Sequence, residues 1–183
     1  MSFVLFTIYS FSQEKGTSDI SFSVGAGTSN DFLNATEDII SNIGGVSTTN
    51  ASFAPSFNLT YKYAILNNWF FYADGTYQSI KEDVIENSIK IGDVSHRYIT
   101  VGFGSEYHYI HKEWFQMYSG ASIAYTSQNA DFTTSNDIED DSDSYFNFQV
   151  NAVGLRFGKA FAGFVELGVG YKGYANAGLS FQF

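Results

Sequence analysis

The chain has 183 residues, 44% hydrophobic and 15% charged, with a formal net charge of -10; this suits one domain and excludes a disordered polymer. No Lys or Arg cluster is present to neutralise phosphates, which excludes a nucleic-acid partner. The absence of cysteine removes disulfides, thiol catalysis and thiolate metal sites.

Aromatics make up 19% of the residues against one proline and 17 glycines, a bias towards strands and tight turns. In chain order, the apolar run Phe3-Val4-Leu5-Phe6-Thr7-Ile8 ends in Ser10-Phe11-Ser12. It resembles the tail of a secretory signal cleaved after Ser12, without its basic region. Residues 1–12 therefore read as a truncated signal peptide and 13–183 as the folded domain. Residues 18–28 alternate Ile20, Phe22, Val24 and Ala26 against Asp19, Ser21, Ser23, Gly25 and Gly27, a first strand. Residues 30–50 form a long polar loop with room for a short helix.

The second strand sets Phe57, Leu59, Tyr61, Tyr63 and Ile65 against Ser56, Asn58, Thr60, Lys62 and Ala64, with Pro55 near its start and a turn at Asn67-Asn68. The third, 69–79, sets Phe71, Ala73, Gly75 and Tyr77 against Tyr72, Asp74, Thr76 and Gln78. Residues 80–95 are a second long connection. The fourth strand, 96–110, puts Ile99, Val101, Phe103, Tyr107 and Tyr109 opposite Tyr98, Thr100, Gly102, Gly104, Glu106 and His108. After the turn at 111–113, the fifth sets Phe115, Met117, Ala121, Ile123 and Tyr125 against Gln116, Tyr118, Gly120, Ser122 and Ala124.

Residues 127–144 are a third long loop, with the acids Asp137, Glu139, Asp140, Asp141 and Asp143. In the sixth strand the apolar phase slips from Phe146, Phe148, Val150 and Ala152 to Val153, Leu155 and Phe157, which predicts a β-bulge at 151–154. The seventh puts Phe161, Val165, Leu167, Val169 and Tyr171 opposite Phe164, Glu166, Gly168, Gly170 and Lys172. The last strand, 174–183, alternates Ala177, Leu179, Phe181 and Phe183 with Asn176, Gly178, Ser180 and Gln182.

No run of 18 apolar residues exists for a membrane helix, but a barrel strand needs only about 9–11 alternating residues. Eight strands with alternating long and short connections predict an all-β, eight-stranded antiparallel up-and-down transmembrane β-barrel, with both termini periplasmic. A soluble lipocalin-like barrel shares the alternation with the faces exchanged. The polar face disfavours it, being mostly Gly, Ser, Asn, Thr and Gln, which fit a narrow lumen better than a wet surface. Phe53, Trp69, Tyr107, Tyr109, Trp114, Tyr125, Phe146 and Tyr171 fall near strand ends, where interfacial girdles belong.

The closing residues Asn176, Gly178, Phe181 and Phe183 resemble the C-terminal assembly signal of bacterial outer-membrane barrels. Most of the chain looks like the small OmpX- or OmpA-like barrels, and 166–183 is similar to the final hairpin of the porin-like outer-membrane β-barrel-domain proteins of Bacteroidota. The resemblance implies a bacterial outer-membrane location, contact with lipid and lipopolysaccharide, and insertion by the barrel-assembly machinery through the last strand. It does not imply a pore, because side chains fill an eight-stranded interior.

Lys62, Asp74, Glu106, Arg156 and Glu166 then point inwards, with Lys172 near one rim, as a structural polar network in which each buried charge needs a partner. A gated ion or proton path is the alternative use of these residues. The enzyme alternative, modification of lipid A, would rest on His96 with Ser95 and Asp93 near the outer rim. No G-x-S-x-G, HExxH or phosphate-binding glycine loop is present, so the expectation is no catalytic residue, cofactor or metal site. The acidic run of the third loop reads as solvated, with divalent-cation collection the weaker reading. The expected role is a monomer displaying its three long loops for adhesion, envelope integrity or partner contact.

Overall fold

Strict alternation gives each strand one apolar and one small polar face, and such strands can hide only one of the two by closing on themselves. The computed structural model describes residues 15–31, 46–49, 54–86, 89–134 and 141–183. The strands are β1 (Ser18–Ala26), β2 (Val46–Thr49), β3 (Ser56–Leu66), β4 (Trp69–Glu86), β5 (Ile89–Lys112), β6 (Phe115–Thr134), β7 (Asp141–Gly158), β8 (Phe161–Gly170) and β9 (Ala175–Gln182). All pairings are antiparallel, and β1 bonds to both β3 and β9. Ladders through β4, β5, β6, β7 and β8 complete a closed barrel of eight strands, while β2 adds outside it on the end of β4.

The faces are inverted relative to a soluble core. Asp19, Asn58, Thr76, Gln78, Thr126 and Gln149 are buried inside, whereas Phe22, Leu59, Val101, Phe103, Ile123 and Leu179 are exposed outside. Leu167, Val169, Leu179 and Phe181 all point outwards, at 55%, 41%, 55% and 48% exposure. That outcome removes the soluble, lipocalin-like arrangement, which requires the opposite assignment.

Short turns at Asn67-Asn68, Glu113-Trp114 and Lys159-Ala160 share one end with both described termini. The other end carries the long connections. Two of these need correction: 80–95 and 127–144 are mostly strand, because β4 continues to Glu86, β5 begins at Ile89, β6 runs to Thr134 and β7 starts at Asp141. Hairpins that rise past the closed part have no lumen to line, so their ladders persist without hydrophobic alternation and read as loops.

The bulge lies where the phase slip put it, since Asn151 pairs with Gly168 and Val153 with Leu167. It returns Gly154 and Arg156 to the interior. Pro55 precedes β3 and interrupts no ladder. Trp69, Tyr107, Tyr109 and Trp114 are exposed near strand ends, whereas Tyr125 and Phe146, also exposed, lie within β6 and β7 because those strands run on past the expected ends; Phe53 lies outside the described residues, as does the segment 1–12. Tyr171 is a correction: it is fully buried in the lumen rather than on the outer girdle. β8 ends at Gly170, whose φ of 138° swings the chain so that Tyr171 and Lys172 both turn inwards.

Candidate functional site

Three polar clusters are stacked along the barrel axis. The lowest, towards the short turns, joins three strands through Lys62 on β3, Glu106 on β5 and Glu166 on β8. Lys62 Nζ donates to Glu106 Oε2 at 2.8 Å and Oε1 at 3.0 Å, and lies 4.0 Å from Glu166 Oε1. Glu166 accepts from Tyr118 OH at 2.8 Å and Asn176 Nδ2 at 3.0 Å. His108 Nε2 donates to Glu106 Oε1 at 2.8 Å, and its ring stacks on Tyr118 at 4.8 Å. Beside them Arg156 Nε donates to Ser180 Oγ at 2.8 Å and faces Asp19 Oδ2 at 3.7 Å, while its other nitrogens donate to the Gly158 and Ala160 carbonyls. The cluster encloses a void with room for about one water molecule.

The middle cluster is separate. Lys172 Nζ pairs with Asp74 Oδ2 at 2.8 Å, and Tyr171 OH donates to Asp74 Oδ1 at 2.8 Å and lies 2.9 Å from Ser122 Oγ. The Lys172 ammonium also sits 4.6 Å from the centre of the Tyr72 ring. Asp74, grouped by sequence with the lower charges, thus belongs to a different set.

The upper cluster closes the long-hairpin end. The chain leaving β1 turns back into the barrel mouth at Thr28 and is helical over the described residues 29–31. Thr28 N donates to Asp31 Oδ2 at 2.7 Å and Asp31 N to Thr28 Oγ1 at 3.2 Å, a reciprocal cap. Gln78 Nε2 donates to Asp31 Oδ1 at 3.0 Å and to the Ala54 carbonyl at 2.9 Å; its Oε1 accepts from Thr28 Oγ1 and Asn30 Nδ2. Asn30 Oδ1 accepts from Tyr145 OH at 2.9 Å and from Asn147 Nδ2 at 3.3 Å. Burial pushes the Asp31 carboxyl above the ordinary carboxylate range, against the hydrogen bonds from Thr28 and Gln78 that oppose it. The start of the first long connection is therefore a plug, not a free loop.

Glycines make room for the tyrosines. A Cβ at Gly154 would stand 2.3 Å from the Tyr118 ring, and one at Gly104 would stand 2.7 Å from Tyr72 Cζ. Each glycine is the direct cross-strand partner of the tyrosine it receives. These rings fill the bore between the charge clusters, and the bare backbone at Gly102, Gly104 and Gly154 leaves room for Tyr171, Tyr72 and Tyr118.

All five charged residues predicted to face the lumen are buried inside it, as is Lys172. Sequence reasoning left out Asp19, His108, Tyr118, Tyr171 and the plug residues as members of the clusters. Asp19, His108 and Tyr118 were legible as inward positions by alternation; Tyr171 and Asn30 lie in turns, where alternation has lapsed. His96 is half-buried on the inward phase of β5, opposite buried Ile80, and lies 3.2 Å from Gln128 Nε2. Ser95 precedes it in the same strand and points to the opposite face, so the two cannot act as nucleophile and base. The side chain of Asp93, the third member of that trio, lies outside the described residues. In β9, Asn176 and Gly178 face inwards, and Phe181 and Phe183 outwards.

No protein-family model matches the chain, and no curated protein matches it. Solved structures do. Ail, the attachment invasion locus protein of Yersinia pestis, crystallised with the heparin analogue sucrose octasulfate, aligns with a TM-score of 0.54 at 17% identity, over 92% of this chain and 99% of its own. The N-terminal β-barrel domain of Pseudomonas aeruginosa OprF aligns with a TM-score of 0.52 at 14% identity, over 93% of this chain and 100% of its own. Both are eight-stranded outer-membrane barrels, and this chain has their fold.

Proposed function

We propose that the chain is an integral protein of the bacterial outer membrane whose plugged barrel holds its long hairpins outside the cell, for adhesion, envelope integrity or contact with a partner. The observation that carries this reading is the inversion of the faces. Rows of exposed Phe, Leu, Ile and Val encircle an interior of bonded polar groups, a surface suited to hydrocarbon. Short turns belong on the periplasmic side of such barrels, and since both described termini share the short-turn end this reading assigns them to that side. Phe181 and Phe183, exposed on a last strand that closes the barrel against β1, serve with Asn176 and Gly178 as the signal for the assembly machinery. The protein works as a monomer in contact with lipid and lipopolysaccharide.

No route for solutes or ions is part of this reading. The plug, the tyrosines and the paired charges occupy the bore, so the inner charges act as a structural network holding the strands in register. A catalytic role is not part of this reading either: Ser95 and His96 face opposite ways on β5 and the other two histidines lie at the short-turn end, which speaks against a Ser–His pair at the outer rim. Ail was crystallised with a sulfated ligand, but this chain carries -10 overall and an acidic third hairpin, so partners with basic surfaces suit it better.

The chain lacks cysteine, so single introduced thiols can test this topology. Asp143→Cys, in the third hairpin, should react with a membrane-impermeant maleimide on whole cells, and Asn68→Cys only after lysis. Recovery of the protein in the soluble fraction, or the reverse labelling pattern, refutes the proposal.

A further inference from the structure

The short-turn mouth of the barrel carries three buried polar atoms without partners: His108 Nδ1, His111 Nε2 and Gln116 Oε1. They come from one patch. Strand alternation would send His111 outwards from inward-facing His108, but β5 carries a register shift between His108 and Ile110 that re-aims it. The two rings then stand with centres 5.8 Å apart. Gln116 on β6 is the direct cross-strand partner of His111 and is buried on the inner face.

The hydrogen bonds of each ring identify the nitrogen that bears the lone pair. Ionised carboxylate and amide oxygens only accept, so His108 Nε2, 2.8 Å from Glu106 Oε1, carries the proton, as does His111 Nδ1, 3.4 Å from Asn68 Oδ1. In the neutral rings the orphaned nitrogens are therefore the basic ones. A histidine whose far N–H is fixed by a carboxylate or amide oxygen while its near nitrogen stays bare has the arrangement found around metal ions.

We propose that this mouth binds one divalent transition-metal ion through His108 Nδ1, His111 Nε2 and Gln116 Oε1. The ring spacing is compatible with this: two imidazoles on one ion, with nitrogens about 2.1 Å from it, have ring centres about 5.3 Å apart at a tetrahedral angle, and an angle of about 125° gives the observed separation. The charge fits as well, since Asp19, Glu106 and Glu166 outnumber Lys62 and Arg156 in the adjoining cluster. Among the described residues no three His, Cys, Asp or Glu side chains form a metal cluster, and the third ligand of the proposed site is accordingly the Gln116 amide oxygen. Imidazole with a neutral oxygen selects zinc, copper or nickel over calcium or magnesium. His111 is half-buried and the more exposed of the two histidines.

The test is calorimetric titration of zinc chloride into the tag-free chain folded in detergent micelles, with cobalt(II) absorption reporting the ligand set. Saturable one-to-one uptake is expected. His111→Ala should weaken it at least ten-fold and Asn68→Ala about ten-fold, whereas His96→Ala should leave it unchanged. Gln116→Glu, which offers an anionic oxygen, should tighten it, a gain that no misfolded variant can imitate. No saturable uptake overturns the site, as does uptake that survives His111→Ala, which would put the ion on the acidic hairpin. An affinity unchanged by Gln116→Glu removes Gln116 from it.

Discussion

Gly154→Ala should be among the more damaging conservative changes in the barrel. Its Cβ would lie 2.3 Å from Tyr118 Cε2 and Cζ, so the ring, which is fully enclosed, must move. Moving it draws Tyr118 OH away from Glu166 Oε1, now 2.8 Å distant. Overpacking costs about 1–3 kcal/mol, and a hydrogen bond to a charged group is worth about 1.5–3 kcal/mol. Replacing glycine within a strand returns about 0.5–1 kcal/mol, leaving a net loss of about 1.5–5.5 kcal/mol. Gly75→Ala is the internal control, because nothing lies within 4 Å of its Cβ; it should be neutral or stabilising by up to about 1 kcal/mol. Urea unfolding in lipid vesicles, followed by emission from Trp69 and Trp114, measures both. Adding Tyr118→Leu to Gly154→Ala should recover part of the loss, since the clash leaves with the ring. Equal midpoints for the Gly154 and Gly75 variants would refute the idea that glycines hold the lumen open for tyrosines.

Lys62→Met should destabilise by about 3–5 kcal/mol in the same titration, because it strands Glu106 without its cation; the double variant with Glu106→Gln should lose less than the sum of the two single changes. On the outer face Ile123→Lys should cost about 2–4 kcal/mol in vesicles, and a smaller effect than that of Ser127→Lys would argue against a hydrocarbon environment. Phe183→Ala should lower the heat-modifiable fraction in cells while leaving refolding of the purified chain in detergent intact; equal loss in both would mean the residue acts on stability and not on assembly. Asp31 holds its proton more tightly folded than unfolded, so its contribution is complete below the ordinary carboxylate range and is lost as pH rises through its raised value. The difference in melting temperature between the parent and Asp31→Asn should therefore shift in favour of the variant as the pH is raised above the ordinary carboxylate range, and a pH-independent difference would count against a buried carboxyl in the plug.

The alternation of side chains was sufficient for the strand number, the inward set including Lys62, Glu106 and Glu166, and the bulge that brings Arg156 back to the lumen, because period two is a local property of extended backbone. The pattern weakened wherever the local constraint did. Past the closed part, β4 to β7 continue as hairpins whose pairing is a contact between strands and leaves no hydrophobic signature. At the turn after β8, a single positive φ at Gly170 sends Tyr171 inwards against its apparent phase. Sequence alone determined which side of each ribbon is greasy. Only the tertiary structure decided which inward groups meet: it set Asp74 with Lys172 rather than Lys62, folded Asn30 and Asp31 into the mouth, and brought His108, His111 and Gln116 together. Those meetings depend on the stagger of eight strands around a closed cylinder, a relation between distant residues that no local repeat encodes.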